Sequence, residues 1–308
     1  MVALPPWMDG VPFSLAQGRE AGLSDAVMRR RGFERPHWGV RVAGAGGRSG
    51  DDFVDRCWSL RVALPPDALL SHATAARLWG MPLPPGIPDE LHVLTEGTVA
   101  VRRRGVVGWR RSSPQGSAAI VHGLPVTTPA DTWVSLATMT AGRGRSVGRE
   151  WLVATADFLV SGRRTRFGRE AALATMDDLA AALRTHGSRR GAALLRWALP
   201  RVRTPVDSPP ETLLRLGLVR ERLPEPAVQP AVLTAAGVRH PDLGYIERRV
   251  LLEYLGDVHR SDRRTWLQDL QRVRLFEDQG FRVVLVGAAD LSSDGLRLLS
   301  AHVRRLLA

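Results

Sequence analysis

Apolar and polar positions alternate most clearly in the last third of the chain, between about residues 207 and 308. The pattern predicts a helix that begins at Pro210, strands over 227–233, 239–245 and 249–255, a helix over 262–279, a buried strand over 281–286 and a closing amphipathic helix over 289–307. The order of these elements, α-β-β-β-α-β-α, is typical of an α/β sandwich.

Helical periodicity and short apolar runs are mixed between residues 51 and 200. Helices are predicted over 51–61, 71–79, 128–139, 148–160, 169–185 and 188–199, and strands near 91–94 and 99–107. Four prolines between residues 200 and 210 predict a boundary. His72, His92 and His122 lie in this region without the spacing of metal ligands, so each is predicted to be structural.

Two short helices are predicted near the start of the chain. Ser14 is the expected N-cap of the first, Gly22 and Leu23 form a turn, and Ser24 caps a second helix that runs through Arg31. A basic strand over 38–42 follows. This order of helix, turn, helix and basic strand is typical of a winged helix-turn-helix domain that binds DNA.

The winged-helix interpretation assigns DNA contacts to the second helix and to the wing. The second helix would present Ser24, Asp25, Met28, Arg29 and Arg30 to the major groove, whereas Arg35, His37 and Arg41 would lie on or near the wing. The alternative is that the arginines at 29–31 only solvate a short helix.

Together these segments predict an α/β fold class with three domains. The expected domains are a winged helix-turn-helix over 1–48, a mixed α/β region over 51–200 and an α/β sandwich over 207–308. The glycine-rich segment 44–50 would separate the first domain from the second.

The charge of the chain points to a polyanionic partner. All 43 basic residues are arginine, and the formal net charge is +12 at pH 7, so we expect DNA as a partner. The lack of lysine excludes a phosphate-binding P-loop and a lysine Schiff base, and no nucleotide cofactor is expected. A single cysteine, Cys57, excludes a disulfide framework. Because neither a membrane-spanning apolar run nor a secretory signal pattern is present, we expect a cytoplasmic protein without a membrane partner.

Asp242 and Glu253 are the candidate metal-binding and catalytic carboxylates. Asp242 is predicted late in one strand and Glu253 within the next, and strands that pair in this way lie about 4.8 Å apart, so both acids can share a Mg²⁺ ion if they face the same side. Glu253 is the one charged residue in the apolar run 250–255, where a carboxylate is costly unless it is paired or metal-bound. Two alternatives remain open: Asp242 caps a turn, or Glu253 pairs with an arginine such as Arg272.

This last segment resembles a nuclease family. The residues that carry the likeness are Glu211, Pro241-Asp242, Glu253-Tyr254-x-Gly256-Asp257-x-His259 and Trp266…Asp269…Arg272. They resemble the DUF559 family, which is similar to the very-short-patch-repair endonucleases of the PD-(D/E)xK superfamily, whose fold is that of restriction endonucleases. The resemblance covers about the last 100 residues.

The resemblance also implies roles for single residues. Asp242 and Glu253 would bind Mg²⁺ together with the backbone carbonyl of Leu255, Glu211 would assist, His259 would act as general acid or base, and Arg272 and Arg274 would face phosphate. Leu255 stands where relatives often carry a polar residue. Because a leucine side chain neither binds metal nor orients water, an active nuclease and a fold retained for binding both remain open. Two alternatives remain. His259 can be an ordinary surface histidine, and Asp269, Arg272 and Arg274 can form the solvated face of the predicted helix over 262–279.

The front of the chain resembles a second family. Phe13-Ser14, Gly22-Leu23-Ser24, the arginines at 29–31 and Trp38-Gly39-Val40 resemble the winged helix of AbiEi-like antitoxins, and the segments 70–80 and 123–130 resemble the parts that follow it. This resemblance implies operator binding and a toxin as protein partner, and it implies no catalysis.

Two functional hypotheses follow from these observations. The first is a Mg²⁺-dependent DNA endonuclease with a DNA-binding front domain, which would serve DNA repair or defence against phage. The alternative is a transcriptional regulator or antitoxin that binds DNA and keeps a degenerate nuclease fold without catalysis.

Overall fold

The computed structural model describes residues 4–30, 32–44, 49–96, 100–111, 118–139, 146–165, 167–256 and 263–308, with the backbone alone over 263–269. The described residues form two compact units. Those of the first fall within Met1–Gly80 and Gly86–Leu136, and those of the second within Met81–Pro85, Ala137–Ala141 and Ser146–Ala308. Within the described residues, no helix has the length and apolarity that crossing a membrane requires. The division into three domains stays a prediction.

The first unit begins with two short capped helices and a small sheet. Its elements are strand β1 (Phe13–Ser14), helices α1 (Leu15–Glu20) and α2 (Asp25–Met28), and strands β2 (Phe33–Glu34) and β3 (Val40–Ala43). The strands pair antiparallel in the order β1-β3-β2. Ser14 caps α1 in a capping box with Gln17, and Ser24 caps α2, as predicted.

The predicted winged-helix order of elements is therefore present, although α2 ends at Met28 rather than at Arg31. Met28 is fully buried in a small core with Met8, Phe13 and Leu23, and its carbonyl accepts a hydrogen bond from the side chain of Arg41 instead of one from the next helical turn.

A mixed sheet dominates the rest of the first unit. Its elements are α3 (Asp52–Arg61), β4 (Leu69–Leu70), α4 (His72–Leu78), β5 (Leu91–Glu96), β6 (Arg102–Arg103), β7 (Val106–Arg111), β8 (Ala118–Val121), β9 (Leu124–Thr127) and α5 (Pro129–Leu136). The strand order is β6-β7-β5-β4-β9-β8. Helix α3 begins after the N-cap Asp51, close to its predicted start.

The hairpin of β8 and β9 was not predicted from the sequence. Val121 pairs with Leu124, and the two residues between them, His122 and Gly123, both have positive φ. Two such residues form the tight turn whose twist matches that of a hairpin. The sequence signal was therefore His-Gly, a less usual form of the Asn-Gly turn.

The second unit opens with three helices and a short hairpin. The elements are α6 (Arg149–Ser161), β10 (Arg164–Thr165), β11 (Gly168–Arg169), α7 (Met176–His186) and α8 (Ala192–Ala198). The predicted helix over 169–185 was wrong at its start, because Thr175 and Asp178 form a capping box that begins α7 at Met176.

The C-terminal part of this unit has the predicted helices and last strand, but five strands lie between its first two helices where three were predicted. It contains α9 (Pro209–Arg220), β12 (Ala227–Val228), β13 (Val232–Thr234), β14 (Gly237–Arg239), β15 (Leu243–Tyr245), β16 (Val250–Tyr254), α10 (Arg263–Glu277), β17 (Arg282–Val286) and α11 (Ser293–Leu307). The main sheet has the order β12-β15-β16-β17, in which only the last pair is parallel. The α/β fold class is confirmed.

Two predicted strands are divided in the structure. The segments expected over 227–233 and 239–245 each break, because β13 and β14 form a separate hairpin around Gly237, whose φ is +89°. Asp242 consequently lies just before β15 instead of late in a strand.

Helices cover both faces of the main sheet. Leu214 and Leu218 of α9 and Leu296 and Val303 of α11 pack with Leu252 and its neighbours on one face. Phe276 of α10 packs against Leu251 on the other. Successive residues of a strand point to opposite faces, so Glu253 shares the face of Leu251, toward α10.

Candidate functional site

The carboxylates of Asp242 and Glu253 lie opposite each other at one end of the main sheet. Leu243 pairs with Leu252 in the antiparallel register of β15 and β16, so one step further along both strands brings Asp242 opposite Glu253. Residues that lie directly opposite each other in such a pair face the same side. The strand register therefore places the two carboxylates side by side on the face covered by α10, where they could share a ligand.

Each of these carboxylates already has a partner within the chain. The backbone N–H of Tyr254 donates to Oδ2 of Asp242 at 2.7 Å. Nε of Arg272 donates to Oε1 of Glu253 at 3.0 Å, and the Glu253 side chain is only 10% exposed. Arg272 also donates to the carbonyl of His240. The alternative in which Glu253 pairs with Arg272 is therefore the arrangement that the structure contains.

Glu211 lies in the first turn of α9 and is buried. Its carboxylate accepts hydrogen bonds from the backbone N–H of Asp207 at 3.1 Å and from the Ser208 hydroxyl at 2.8 Å. Burial raises the pKa of Glu211 to about 8, and the negative charge of Asp242 acts in the same direction. The Glu211 carboxyl therefore holds its proton more strongly than an ordinary glutamate does, and a protonated carboxyl is a poor metal ligand.

A polar cavity of about 440 Å³ lies beside the two carboxylates. Asp242, Glu253 and Leu255 line it together with Arg164, Arg239 and Arg272. The backbone N–H of Leu255 donates to Val286, which extends the pairing of β16 with β17. Arg274 is exposed on α10. His259 and Asp257 lie outside the described residues.

The donors of this cavity do not fit Mg²⁺ in the conformation described. Among the described residues, no group of three or more His, Cys, Asp or Glu side chains is arranged to hold a metal ion. Arg272 places a guanidinium cation against Glu253, and the Glu211 carboxylate already accepts hydrogen bonds from Asp207 and Ser208. The guanidinium of Arg272 would repel a cation at the same carboxylate and so weaken its binding while the ion pair is in place.

The first unit exposes the arginines that were predicted to contact DNA. Ser24, Arg29, Arg30 and Arg35 are exposed around the end of α2 and the start of the wing. Arg35 donates to the backbone carbonyl of Arg29, which holds the wing beside α2. These side chains are available to phosphate oxygens, the main source of sequence-independent affinity for DNA.

Three other residues of the predicted interface have structural partners. Arg41 is only 9% exposed, and its guanidinium donates to the carbonyls of Met28 and Val40, both at 2.8 Å. Met28 is part of the core, and Asp25 forms an ion pair with Arg19 at 2.8 Å. The geometry gives Arg41 and Met28 a role in holding α2 on the sheet instead of the predicted contacts with DNA.

The histidines of the first unit are less isolated than the sequence indicated. His72 stacks on Trp109 with ring centroids 3.9 Å apart, and Nε1 of Trp109 donates to Nδ1 of His92 at 3.0 Å. Burial holds the pKa of His72 well below its usual value and lowers that of His92 to about 4. Both rings are therefore neutral at pH 7, as expected for core residues.

Part of the chain matches the model of one protein family. Residues 69–157 match the AbiEi antitoxin C-terminal domain. The match runs from β4 into α6 and so contains the mixed sheet and helices α4 and α5. No curated protein matches the chain. The predicted likeness to AbiEi antitoxins is thus supported over these residues, whereas the likeness to DUF559 stays a prediction.

Sequence reasoning missed a second basic surface in the first unit. Arg102, Arg103 and Arg104 follow one another at the β6–β7 hairpin and line a groove together with Trp38. The available signal was the run of three arginines between two apolar segments, because successive charges at a hairpin are commonly placed on its solvent side.

Proposed function

We propose that this protein is a DNA-binding regulator of the antitoxin type, in which the winged-helix segment binds duplex DNA. The observation that carries the proposal is that the segment matching the AbiEi antitoxin C-terminal domain follows a winged-helix segment with exposed arginines. The net charge of +12 supports a polyanionic partner.

Arg29 and Arg30 are the side chains on which this proposal depends most. Both are exposed at the end of α2, where neighbouring arginines can contact phosphates on one strand or base edges in the major groove. Arg35 lies beside them on the wing. Neutralisation of each phosphate releases counterions, so binding should weaken steeply as salt rises.

A gel-shift titration with the promoter of the protein's own gene tests the proposal. We expect a discrete complex whose affinity falls when Arg29→Ala is combined with Arg30→Ala. Loss of two phosphate contacts should also lower the slope of log affinity against log salt by roughly 1.8. The matched control is Arg189→Ala with Arg190→Ala, an exposed pair in the second unit, which removes the same charge. Equal losses from the two double variants would refute a specific role of α2.

A toxin is the protein partner that this proposal implies. The family name supports an antitoxin relationship for residues 69–157. The test is a growth assay in which the product of the gene that adjoins this one is induced with and without this chain. Rescue of growth by the chain supports the partnership. If the neighbouring product is harmless alone, that partnership is refuted.

A Mg²⁺-dependent endonuclease is a second candidate, favoured by the placement of Asp242 opposite Glu253 beside a polar cavity. The ion pair of Arg272 with Glu253 opposes it, because the guanidinium repels a metal cation at that carboxylate. Cleavage of plasmid DNA with Mg²⁺ or Mn²⁺ that disappears in Asp242→Asn would support it. A promoter complex that is unchanged in Asp242→Asn, without cleavage by the wild type, would instead favour the regulator.

A further inference from the structure

A basic groove in the first unit lies between the wing and the β6–β7 hairpin. It has a volume of about 1130 Å³ and is lined by Arg35, His37 and Trp38 on one side and by Arg102, Arg103 and Arg104 on the other. Drug-sized ligands occupy pockets of about 300–1,000 Å³, so the groove can receive several linked groups but cannot enclose a duplex.

The groove carries an excess of positive charge. Arg102 and Arg104 are exposed, and within the described residues neither forms an ion pair with a carboxylate. Asp89 is the acid that lines the groove, and Arg56 and Arg77 both pair with it. The pKa of His37 is lowered, first by burial and then by the charges of Arg103 and Arg56. The arrangement favours an anion along this surface.

Trp38 presents its indole to solvent at the tip of the wing. The residue is 88% exposed, so both faces of the indole are open to a stacking partner. Nη1 of Arg103 donates to the carbonyl of Trp38 at 3.0 Å, and Nη2 donates to Ala63 at 2.9 Å. The bond from Arg103 to the Trp38 carbonyl holds the backbone of the tip beside Arg102 and Arg104.

We propose that this groove binds a segment of single-stranded nucleic acid, with phosphates at Arg102 and Arg104 and an unpaired base stacked on Trp38. Exposed aromatic rings beside a basic groove are the elements from which single-strand binding is built. An unpaired base offers a free face to the indole. Bases in a duplex are already stacked on one another, and separating them costs a few kcal/mol per step. The residues that carry this proposal differ from Arg29 and Arg30, on which the duplex proposal depends, although Arg35 adjoins both surfaces.

Fluorescence anisotropy with a labelled oligothymidylate of about eight nucleotides tests the proposal on the full chain. We expect Trp38→Ala to weaken binding about fivefold or more, because stacking of one base contributes about 1–3 kcal/mol, and Trp38→Phe to retain most of the affinity. Arg102→Ala with Arg104→Ala should lower the salt slope by about 1.4. An abasic oligonucleotide of equal length should bind the wild type as weakly as the oligothymidylate binds Trp38→Ala.

Two control variants separate this site from general charge and from an effect on folding. Trp7→Ala removes another exposed tryptophan of the same unit, and Arg189→Ala with Arg190→Ala removes two exposed arginines elsewhere. We expect neither to change binding of the oligothymidylate, and we expect Trp38→Ala to bind promoter duplex as the wild type does.

Three results would overturn the proposal. The first is that the wild type binds the abasic strand, or polyglutamate of the same charge, as tightly as it binds the oligothymidylate. The groove would then bind polyanions in general. The second is an equal loss in Trp38→Ala and Trp7→Ala. The third is a parallel loss of duplex and single-strand binding in Trp38→Ala, which would assign Trp38 to the duplex interface.

Discussion

Replacing Arg215 by methionine should strongly destabilise the second unit. Arg215 on α9 is 1% exposed, and Asp157 on α6 is fully buried. Nη2 of Arg215 donates to Asp157 at 3.1 Å and to the carbonyl of Arg201 at 2.9 Å, and Nη1 donates to Glu225 at 2.8 Å. Methionine keeps much of the aliphatic volume but removes all three bonds and leaves a buried carboxylate without its cation.

The expected loss is about 3–5 kcal/mol, the usual cost of removing one partner from a buried ion pair. Asp157 would keep the backbone N–H of Arg203 and the hydroxyl of Thr212, both at 2.7 Å, which favours the lower end of that range. Hydrogen exchange measures the effect locally. A loss of about 3 kcal/mol corresponds to roughly a hundredfold faster exchange of the slowest α9 amides.

Two further variants make this prediction refutable. Arg297→Ala removes an arginine whose ion pair with Asp294 is largely exposed, so it should change stability by about 0.5 kcal/mol or less. Combining Asp157→Asn with Arg215→Met should cost about 0.5–3 kcal/mol less than the sum of the single changes, because the two side chains share one network. If exchange in Arg215→Met is no faster than in Arg297→Ala, the reasoning about the buried pair fails.

Three other predictions concern protonation and reactivity. The raised pKa of Glu211, about 8, means that its contribution to stability is complete below pH 4.5 and is lost as pH rises through 8; Glu211→Gln should therefore flatten the fall in melting temperature over this interval. The pKa of His92, lowered to about 4, makes stability depend on pH in the opposite direction. Its contribution is complete above pH 6.5 and is lost as pH falls through 4, by on the order of 3 kcal/mol. Denaturant titrations at several pH values measure this loss. Burial raises the pKa of the Cys57 thiol to about 12, so a thiol reagent at pH 8 should label it only as fast as the first unit unfolds.

Each of these three predictions has a contrary outcome. A Glu211→Gln variant that melts like the wild type at every pH would show that Glu211 exchanges no proton in this interval. His122, which is exposed, serves as control for His92, and an equal effect of His92→Gln and His122→Gln on the pH dependence would contradict the assignment. Labelling of Cys57 at a rate independent of denaturant would contradict its burial.

The elements that could be predicted from the sequence are those whose signals are local. Ser14 and Ser24 fix the starts of α1 and α2 through their own hydroxyls, and the apolar period of α11 is long enough to identify that helix. The division of 227–245 into four short strands depends on the separate hairpin around Gly237 and on pairing with β16, which lies further along the chain. Such pairing is not visible in a local window.

The candidate site was predictable as a pair of residues but not in its chemical state. The alternation along β16 places Glu253 on one face, and the register then places Asp242 opposite it. The position of Arg272 against Glu253 depends on how α10 packs on that face, and the raised pKa of Glu211 depends on burial of the first turn of α9. Neither can be read from spacing. Likewise, Arg41 follows the pattern of a wing residue, and only packing shows that its guanidinium is buried.

The bonds around Asp157 also determine how the protein can be divided. The family match ends at residue 157, within α6, whereas three of the groups that hydrogen-bond to that carboxylate belong to residues 203, 212 and 215. A fragment that ends at residue 157 would therefore lack the three groups that hydrogen-bond to the buried Asp157 carboxylate. The edge of the family likeness is not an edge of a folding unit, and functions of this chain are better separated by single substitutions than by truncation.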